Sequence, residues 1–517
     1  SCPSCLGSRL NPLARNVRIL EHSIASLCDL PIAAVSAFLD RIELDPKSAK
    51  VLEEVLKQLK SRLSFLQEVG LHYLSLDRRA PTLSNGEAQR IRLARQLGSS
   101  LTGVLYVLDE PTVGLHPHDN QKLNNALQKL KALGNTLLLV EHDPLTVATA
   151  DYILDFGPGA GEHGGHLTAQ GTLKQIARNP NSLTGAYISH RKTIPTPTKL
   201  RTPKGSFPIV NANKHNLKNL TLDIPLGLFT CLTGVSGSGK STLMHEVIRP
   251  EAQQVLPKGD PFDKLIVIDQ NPIGHTVRSD VGTYCEVLPV VRSFFASLAL
   301  SKTKGLEPKH FSYNHRRGMC THCYGLGYKK VEMFFMPAVK VTCDECRGLR
   351  LNPVSLEIRY QGKNFGQLLD MTVTEARELF AVLPKAKRIF DTLISVGLGY
   401  LKLGQEMASL SGGEAQRMKL SRELSRRTTG KTLYLLDEPT TGLHPEDINT
   451  LLKVLQRLVD KGNTMIVIEH NTDVIKNADH IIDLGPEAGA KGGELICQGT
   501  PAEIAAHPSS YTGKYLR

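Results

Sequence analysis

A glycine-rich loop with a single lysine offers the clearest chemistry in the chain. The segment GVSGSGKST occupies positions 234–242 and follows the short apolar run 228–233, which predicts a buried strand. Backbone N–H groups of such a loop surround phosphate oxygens, and the helix that follows presents the positive end of its dipole to them. Lys240 is expected to reach the β- and γ-phosphates of a nucleotide, and Ser241 to ligate Mg²⁺. The predicted nucleotide-binding set also includes Gly234, Val235, Ser236, Gly237, Ser238, Gly239 and Thr242.

Acidic, imidazole and amide side chains end other apolar runs. Asp437 and Glu438 close the run 432–436, and His470 closes another. In an open α/β sheet such positions lie beside the phosphate loop, so Asp437 is expected to hold Mg²⁺ through water and Glu438 to polarise an attacking water. His470 is predicted to contact the γ-phosphate. Gln270, at the end of IVIDQ, is predicted to sense the γ-phosphate or Mg²⁺, with a plain strand-end amide as the alternative.

Four cysteines have the spacing of a metal site. Cys320 and Cys323 form one Cys-x-x-Cys pair, and Cys343 and Cys346 form a second one after nineteen intervening residues. Four thiolates arranged tetrahedrally bind Zn²⁺ in a closed shell, which organises structure and leaves no position for catalysis. Redox-active or unligated thiols are the alternative for this spacing.

Basic and aromatic side chains surround the cysteine pairs. Positions 309–350 contain eight lysines and arginines against three acidic residues, with tyrosines and phenylalanines between them. This composition suits phosphate contacts and base stacking, but a solvated basic surface fits it equally well. The candidates for DNA contact are Arg316, Arg317, Lys329, Lys330, Arg347 and Arg350.

The chain contains two copies of one sequence pattern. LSNGEAQRIRLARQL at 83–97 recurs as LSGGEAQRMKLSREL at 410–424, and LYVLDEPTVGLHPHD at 105–119 recurs as LYLLDEPTTGLHPED at 433–447. The second LSGGE segment opens an amphipathic helix, whose N-terminus suits an anion but is also an ordinary serine cap. The first copy has no counterpart of 207–341, so we expect the chain to be part of a longer or split polypeptide.

Composition and charge exclude several classes of protein. The 517 residues are 41% hydrophobic and carry a net charge of +12, which permits a polyanionic partner without proving one. No apolar run approaches the ~20 residues that cross a bilayer, so no membrane partner is expected. Cys-x-x-Cys pairs in a long chain without export signals favour metal ligation over disulfides, and a reducing, cytoplasmic location.

The motifs together resemble those of ATP-binding cassette (ABC) ATPases. In chain order they are LTGVSGSGKSTL, IDQNPIG, FSYN, GMCTHCYGLG, LSGGEAQR, LDEPTTGLHPED and SYTGKYL. The residues of these motifs are similar to those of the UvrA family, the damage-recognition subunits of bacterial excision repair. The similarity extends over essentially the whole chain. The resemblance implies an α/β fold of tandem ABC-type cassettes with a P-loop, helical signature subdomains and a Cys₄ zinc insertion. ATP, Mg²⁺ and Zn²⁺ are the implied cofactors.

The resemblance also implies a domain organisation. Residues 1–190 are predicted to be the C-terminal part of a first cassette that lacks a phosphate loop, and 206–517 a complete second cassette. The segment 191–205, rich in proline, threonine and basic residues, is predicted to be a linker. The second cassette is expected to carry a zinc and DNA-binding insertion at about 271–350 and a helical signature subdomain at about 351–430.

In such cassettes ATP lies between the phosphate loop of one copy and the signature of the other. The resemblance therefore implies that the nucleotide site faces Ser84, Asn85 and Gly86 of the first copy. Asn85 departs from the Ser-Gly-Gly of the family; it tolerates positive φ, but its amide could crowd or hydrogen-bond the γ-phosphate. A second half-site, without a phosphate loop, would combine Asp109, Glu110 and His142 with Ser411, Gly412 and Gly413.

The implied function is ATP-driven recognition of damaged double-stranded DNA in nucleotide excision repair, followed by loading of a UvrB-like helicase subunit. A homodimer is the implied assembly. No nuclease-type carboxylate cluster is evident beyond the ATP sites, so strand incision is expected to belong to other subunits. Two alternatives stay open: a UvrA-like paralogue that protects against DNA-binding drugs, and a DNA scaffold that responds to ATP without hydrolysing it.

Overall fold

The structure is a computed structural model, and it describes most of the chain. The described residues are 2–3, 5, 7–83, 85–97, 102–159, 161, 164–269, 278–333, 335–425 and 430–517. The first copy (2–190) contains helices α1 to α9 and strands β1 to β6. In chain order they are α1 (Pro12–Asn16), β1 (Arg18–Ile19), β2 (His22–Ser23), α2 (Ile24–Asp29), α3 (Ile32–Asp40), α4 (Pro46–Glu68), α5 (Asn85–Leu97), β3 (Leu105–Asp109), α6 (Pro117–Ala132), β4 (Thr136–Val140), α7 (Pro144–Val147), β5 (Ile153–Gly157), β6 (His166–Gly171), α8 (Leu173–Arg178) and α9 (Leu183–Ile188).

The second copy (206–517) begins with strands and the helix that follows the phosphate loop, continues through a mostly helical region, and ends with further strands and helices. Its first elements are β7 (Ser206–Ala212), β8 (Leu220–Pro225), β9 (Phe229–Gly234), a π-helical stretch (Thr242–Ile248) that continues as α10 (Arg249–Val255), and β10 (Lys264–Ile268). The middle elements are α11 (Val281–Tyr284), α12 (Val287–Ser297), α13 (Ala299–Thr303), β11 (Tyr328–Met333), β12 (Met336–Thr342), α14 (Pro353–Leu356), β13 (Arg359–Tyr360), β14 (Lys363–Asn364), α15 (Phe365–Leu369), α16 (Val373–Leu379), α17 (Pro384–Ser395) and α18 (Gly412–Leu424). The last elements are β15 (Thr432–Asp437), α19 (Pro445–Asp460), β16 (Thr464–Ile468), α20 (Thr472–Lys476), β17 (His480–Gly485), β18 (Glu494–Gly499), α21 (Pro501–Ala506) and α22 (Tyr511–Leu516).

A six-stranded sheet forms the centre of the second copy. Its strand order is β10-β15-β16-β9-β17-β18, and only the β17–β18 pair is antiparallel. All six residues of β9 are buried, as are all five of β16, because side chains cover both faces of the sheet. Since neighbouring parallel strands end at one edge, β9 delivers the phosphate loop beside the acidic end of β15 and the histidine after β16.

The first copy repeats this sheet in two separate pieces. Strands β3 and β4 pair in parallel, as β15 and β16 do, and β5 and β6 pair antiparallel, as β17 and β18 do. In the described part of the chain no strand lies between β4 and β5, where β9 lies in the second copy. Leu138, Val140, Leu154 and Phe156 are 49, 49, 47 and 65% exposed, whereas their counterparts Ile466, Ile468, Ile482 and Leu484 are each 1% exposed.

The helical region of the second copy has one apolar core. Buried side chains of α11 and α12, such as Val281 and Phe295, pack with those of α15 and α17, such as Phe365 and Phe390. This core shows that α11 and α12, predicted to belong to the zinc insertion, pack with α15 and α17 of the helical region. The cysteine cluster forms a small core of its own. No described helix is long and apolar enough to cross a membrane.

Candidate nucleotide site between the two copies

The phosphate loop has the backbone conformation that its glycines predict. Gly234 has φ 132°, and a Cβ there would lie 2.1 Å from the carbonyl oxygen of Leu484, so only glycine fits. The hydroxyls of Ser236 and Ser238 are buried and have no hydrogen-bond partner in the described structure. Buried hydroxyls without partners are costly, and phosphate oxygens would satisfy them. The loop therefore fits a nucleotide.

Lys240 is buried beneath this loop. Its ammonium donates to the carbonyl oxygens of Gly234 and Val235, at 2.8 and 2.9 Å. Burial lowers the pKa of Lys240 to about 8, although Glu438 and Asp119 oppose that shift. Because the effect of burial outweighs that of the nearby carboxylates, the ammonium favours a further anionic ligand such as a phosphate group.

Asp437, Glu438 and His470 meet at the carboxyl edge of the sheet. Glu438 follows β15 with φ 46°, a left-handed conformation that is uncommon for glutamate and typical of functional sites. Its Oε1 lies 3.8 Å from Nε2 of His470. Burial, followed by the charge of Lys240, holds the pKa of His470 well below its usual range, so the imidazole is neutral at pH 7.

Two side chains of the first copy, those of Asp119 and Tyr73, contact this loop. Asp119, at the start of α6, accepts a hydrogen bond from the backbone N–H of Ser236 at 3.2 Å. The ring of Tyr73 lies against Gly237, where a Cβ would be 2.8 Å from the ring, and the Tyr73 hydroxyl donates to Glu87 of α5 at 2.6 Å. Tyr73 therefore connects α5, the signature helix of the first copy, with the phosphate loop of the second copy.

The segments that follow Asp109-Glu110 and Asp437-Glu438 make equivalent contacts, each with the other copy. A Cβ at Gly114 would lie 2.7 Å from Glu438 Oε2, and a Cβ at Gly442 would lie 2.8 Å from Glu110 Oε2. The rings of His116 and His470 are 5.8 Å apart, and those of His142 and His444 are 6.5 Å apart. Each copy thus places a glycine and a histidine beside the glutamate and histidine of the other.

Part of the predicted composite site lies outside the described residues. This applies to Ser84 and Gln270, and to the side chain of Asn85. Gly86 lies in the first turn of α5 and packs so closely on the loop after β3 that a Cβ would lie 2.9 Å from the carbonyl oxygen of Val113. The predicted pairing of these residues with ATP remains a prediction.

The residues of the predicted second half-site are acidic, histidine and signature residues. Glu110 Oε1 lies 3.9 Å from His142 Nε2, which repeats the pair in the other site. Ser411 caps α18 in a capping box with Glu414, so its hydroxyl accepts the backbone N–H of Glu414 at 3.3 Å. Gly412 and Gly413 form the first turn of this helix, and Asp109 ends β3. No described residues supply a phosphate loop to this half-site.

The four predicted zinc ligands are brought together. The sulfur atoms of Cys320, Cys323, Cys343 and Cys346 are buried and lie within 4.8 Å of one another. A tetrahedral zinc site, with Zn–S bonds of about 2.3 Å, requires sulfurs about 3.8 Å apart. The Cys320–Cys343 and Cys323–Cys346 pairs are 4.0 and 3.6 Å apart. The donor set fits Zn²⁺ in a closed structural site.

Comparisons with known proteins agree on one family. No family model matches the chain. A curated relative, UvrABC system protein A of Aquifex aeolicus, is 53% identical over 532 residues, covering 100% of this chain and 58% of the relative. The same protein of Methanothermobacter thermautotrophicus is 51% identical, covering 100% and 55%. The crystal structure of UvrA2 from Deinococcus radiodurans superposes with a TM-score of 0.93 at 43% identity, covering 100% of this chain and 66% of that one.

This chain belongs to the UvrA family. The predicted α/β fold of tandem ABC cassettes, with helical signature regions and a Cys₄ cluster, is confirmed. The chain spans a little over half the length of the curated UvrA relatives that it matches.

The predicted DNA-contact residues of this UvrA chain fall into two groups. Five are exposed around the cysteine cluster or on the β11–β12 hairpin: Arg316, Arg317, Lys329, Lys330 and Arg347. Arg350 differs, because its guanidinium lies over the Tyr313 ring, 5.4 Å from its centroid, and donates to the carbonyl oxygen of Gly404 at 3.0 Å. These contacts indicate that Arg350 anchors the zinc module on the helical region.

Several residues of the candidate nucleotide site were not predicted from the sequence. Asp119 and His116 belong to the LHPHD segment, which recurs as LHPED, and this repetition was the available signal. Tyr73 lies 14 residues before Glu87, as Tyr400 lies before Glu414, and both tyrosines donate to those glutamates. His245, which contacts Asp437, lies in a segment that has no copy, so no repetition signalled it.

Proposed function

We propose that this chain binds and hydrolyses ATP at one composite site, formed by the phosphate loop of the second copy and the signature helix of the first. The observation that carries the proposal is the hydrogen bond from the Ser236 N–H to Asp119, together with the packing of Gly114 on Glu438. These contacts put residues of both copies around a single phosphate loop.

The roles of the residues follow from their positions. The loop N–H groups bind the phosphates together with the ammonium of Lys240. The N–H groups of Ser236 and Ser238 are excepted, because they donate to Asp119 and to the carbonyl oxygen of Val235. Ser241 and Asp437 would hold Mg²⁺, which neutralises phosphate charge when bound. Glu438 polarises the attacking water, and the neutral imidazole of His470 donates one N–H to the γ-phosphate.

We propose further that ATP turnover serves recognition of damaged double-stranded DNA and loading of a UvrB-like subunit, by a homodimer. The family membership supports this role, since the curated relatives are named as protein A of the UvrABC system. The exposed basic side chains around the cysteine cluster support the DNA contact. Distorted DNA would then be selected through its altered shape and deformability.

Calorimetry with a slowly hydrolysed ATP analogue tests the nucleotide site. We expect one analogue bound per chain, because the sequence contains only one phosphate loop. Lys240→Ala should abolish the binding, and Lys218→Ala should preserve it, because Lys218 is an exposed lysine that pairs with Glu494. Two equivalent sites per chain, or unchanged binding in Lys240→Ala, would contradict the proposal.

A second candidate is a UvrA-like paralogue that protects against DNA-binding drugs. The superposed crystal structure carries the name UvrA2, which distinguishes it from the curated relatives named UvrABC system protein A. Co-purification of the chain with UvrB, and incision of a lesion-containing duplex when UvrB and UvrC are added, favour the repair subunit. Drug tolerance without UvrB binding favours the paralogue.

A further inference from the structure

The helix after the phosphate loop carries a histidine that contacts the predicted metal-binding aspartate. Nε2 of His245 lies 3.2 Å from Oδ2 of Asp437, and the two side chains are 24 and 22% exposed. An ionised carboxylate can only accept hydrogen bonds, so Nε2 carries the ring hydrogen and donates the hydrogen bond. The contact is therefore a directed N–H to carboxylate hydrogen bond.

Two further features connect this hydrogen bond with the residues predicted to hold the metal ion. His245 lies four residues after Ser241, so both side chains project from the same side of the helical segment. The main-chain oxygen of Asp437 accepts a hydrogen bond from Gln416, which holds the end of β15 in place. The contact of His245 with Oδ2 constrains the direction of the carboxylate, so Oδ1 is the oxygen that would face a hydrated cation.

We propose that His245 is a positioning residue for the divalent cation of the ATP site. The inference rests on the proposed function, because it requires a metal–nucleotide complex at this loop. A partner that orients a metal-binding group changes metal affinity about 10- to 100-fold when it is removed. His245 should therefore govern affinity for the cation and leave affinity for the nucleotide alone unchanged.

The test compares two variants of the full chain. His245→Leu removes the donor and replaces the imidazole with an apolar side chain of similar bulk. His245→Gln instead keeps an N–H near the position of Nε2. Electron paramagnetic resonance measures free Mn²⁺ in the presence of a slowly hydrolysed ATP analogue, and a fluorescent ATP analogue in EDTA measures metal-free nucleotide affinity. Phosphate release at varied Mg²⁺ concentration gives the third readout.

We expect His245→Leu to weaken Mn²⁺ binding, and to raise the Mg²⁺ concentration for half-maximal turnover, by about 10- to 100-fold. Metal-free nucleotide affinity and zinc content should stay unchanged, and His245→Gln should retain most of the Mn²⁺ affinity. Equal Mn²⁺ affinity in His245→Leu and the parent overturns the inference. Equal losses in both variants, or loss of metal-free nucleotide binding, also overturn it. If the parent itself binds no nucleotide, the proposed function fails first, and the inference with it.

Discussion

Glu438 and Glu110 have the same backbone conformation, with φ 46° in each, yet they belong to sites of different composition. Both approach a histidine of their own copy, at 3.8 and 3.9 Å, and both touch a glycine of the other copy. Burial raises the pKa of Glu110, and His142 opposes that shift. The difference that matters is the phosphate loop, which in the described part of the chain lies beside Glu438 and not beside Glu110.

Glu438→Gln should therefore retain ATP and lose turnover. The substitution preserves shape but removes the group that polarises water, and loss of general-base catalysis costs about 10²–10⁴-fold in rate. Phosphate release measures turnover, and a fluorescent ATP analogue measures binding. Glu110→Gln is the matched control and should hydrolyse ATP at close to the parental rate. Turnover in Glu438→Gln at the parental rate would show that another group is the base.

At the level of elements, α6 and its counterpart α19 begin with equivalent aspartates in unlike surroundings. Asp119 in α6 accepts the N–H of Ser236, while Lys122 lies 3.5 Å from the same carboxylate. Asp447, its counterpart in α19, lies near Gly397 of its own copy, at 3.4 Å from a Cβ built there. Among the described residues, only the first of these carboxylates is in contact with a phosphate loop.

Asp119→Ala should weaken ATP binding, because the loop loses a charged hydrogen-bond partner that holds it against the first copy. Such a bond contributes about 1.5–3 kcal/mol, which corresponds to an increase in Kd of about 10- to 150-fold. The measurement is the Kd of a fluorescent ATP analogue. Asp447→Ala serves as the control with little expected effect. Equal weakening by both substitutions would assign the change to general loss of stability.

The two Cys-x-x-Cys pairs lead to a second prediction at the level of elements. Tyr324-Gly325 and Arg347-Gly348 have positive φ directly after each Cys-x-x-Cys, which turns both cysteine pairs toward one centre. Cys343→Ser should lose the metal and increase hydrogen exchange in β11 and β12, since metal binding and local folding are coupled. ATP binding should change little, because the cysteines form a core separate from the sheet. Unchanged zinc content in elemental analysis would refute the assignment.

At the level of the whole molecule, the basic residues predicted to contact DNA differ in their exposure. Arg350 is engaged in packing, whereas Lys329 and Lys330 are exposed on the hairpin. Replacing both lysines by alanine should weaken DNA binding and flatten its salt dependence. The slope of log K against log salt should fall by about 0.9 for each DNA phosphate that the protein no longer neutralises.

Fluorescence anisotropy on a damaged duplex at several salt concentrations measures this slope. Lys50→Ala with Lys57→Ala is the matched control, because these exposed lysines lie on α4 of the first copy. A slope that falls equally in the control pair would mean that the binding surface is not the hairpin.

Much of the candidate nucleotide site and of the cysteine cluster could be predicted from local sequence. The phosphate loop, the acidic strand ends and the Cys-x-x-Cys pairs each depend on a few neighbouring residues, whose conformations the glycines and the strand–turn–helix order largely impose. The duplication is visible in the sequence as well, and it correctly predicts that β3 to β6 repeat β15 to β18. The family and fold class could therefore be predicted before any coordinates.

Contacts between distant segments required the tertiary structure. Asp119 and Ser236 are 117 positions apart and belong to different copies, so no local periodicity links them. Arg350 is one of eight basic residues in its region, and only packing distinguishes it, because its guanidinium fits between Tyr313 and Gly404. His245 and Asp437 meet because β15 lies two strands from β9 in a parallel sheet, which brings both ends to one edge. Strand order and the interface between the copies depend on the burial of side chains along the whole chain. A single sequence segment determines only the burial of its own residues.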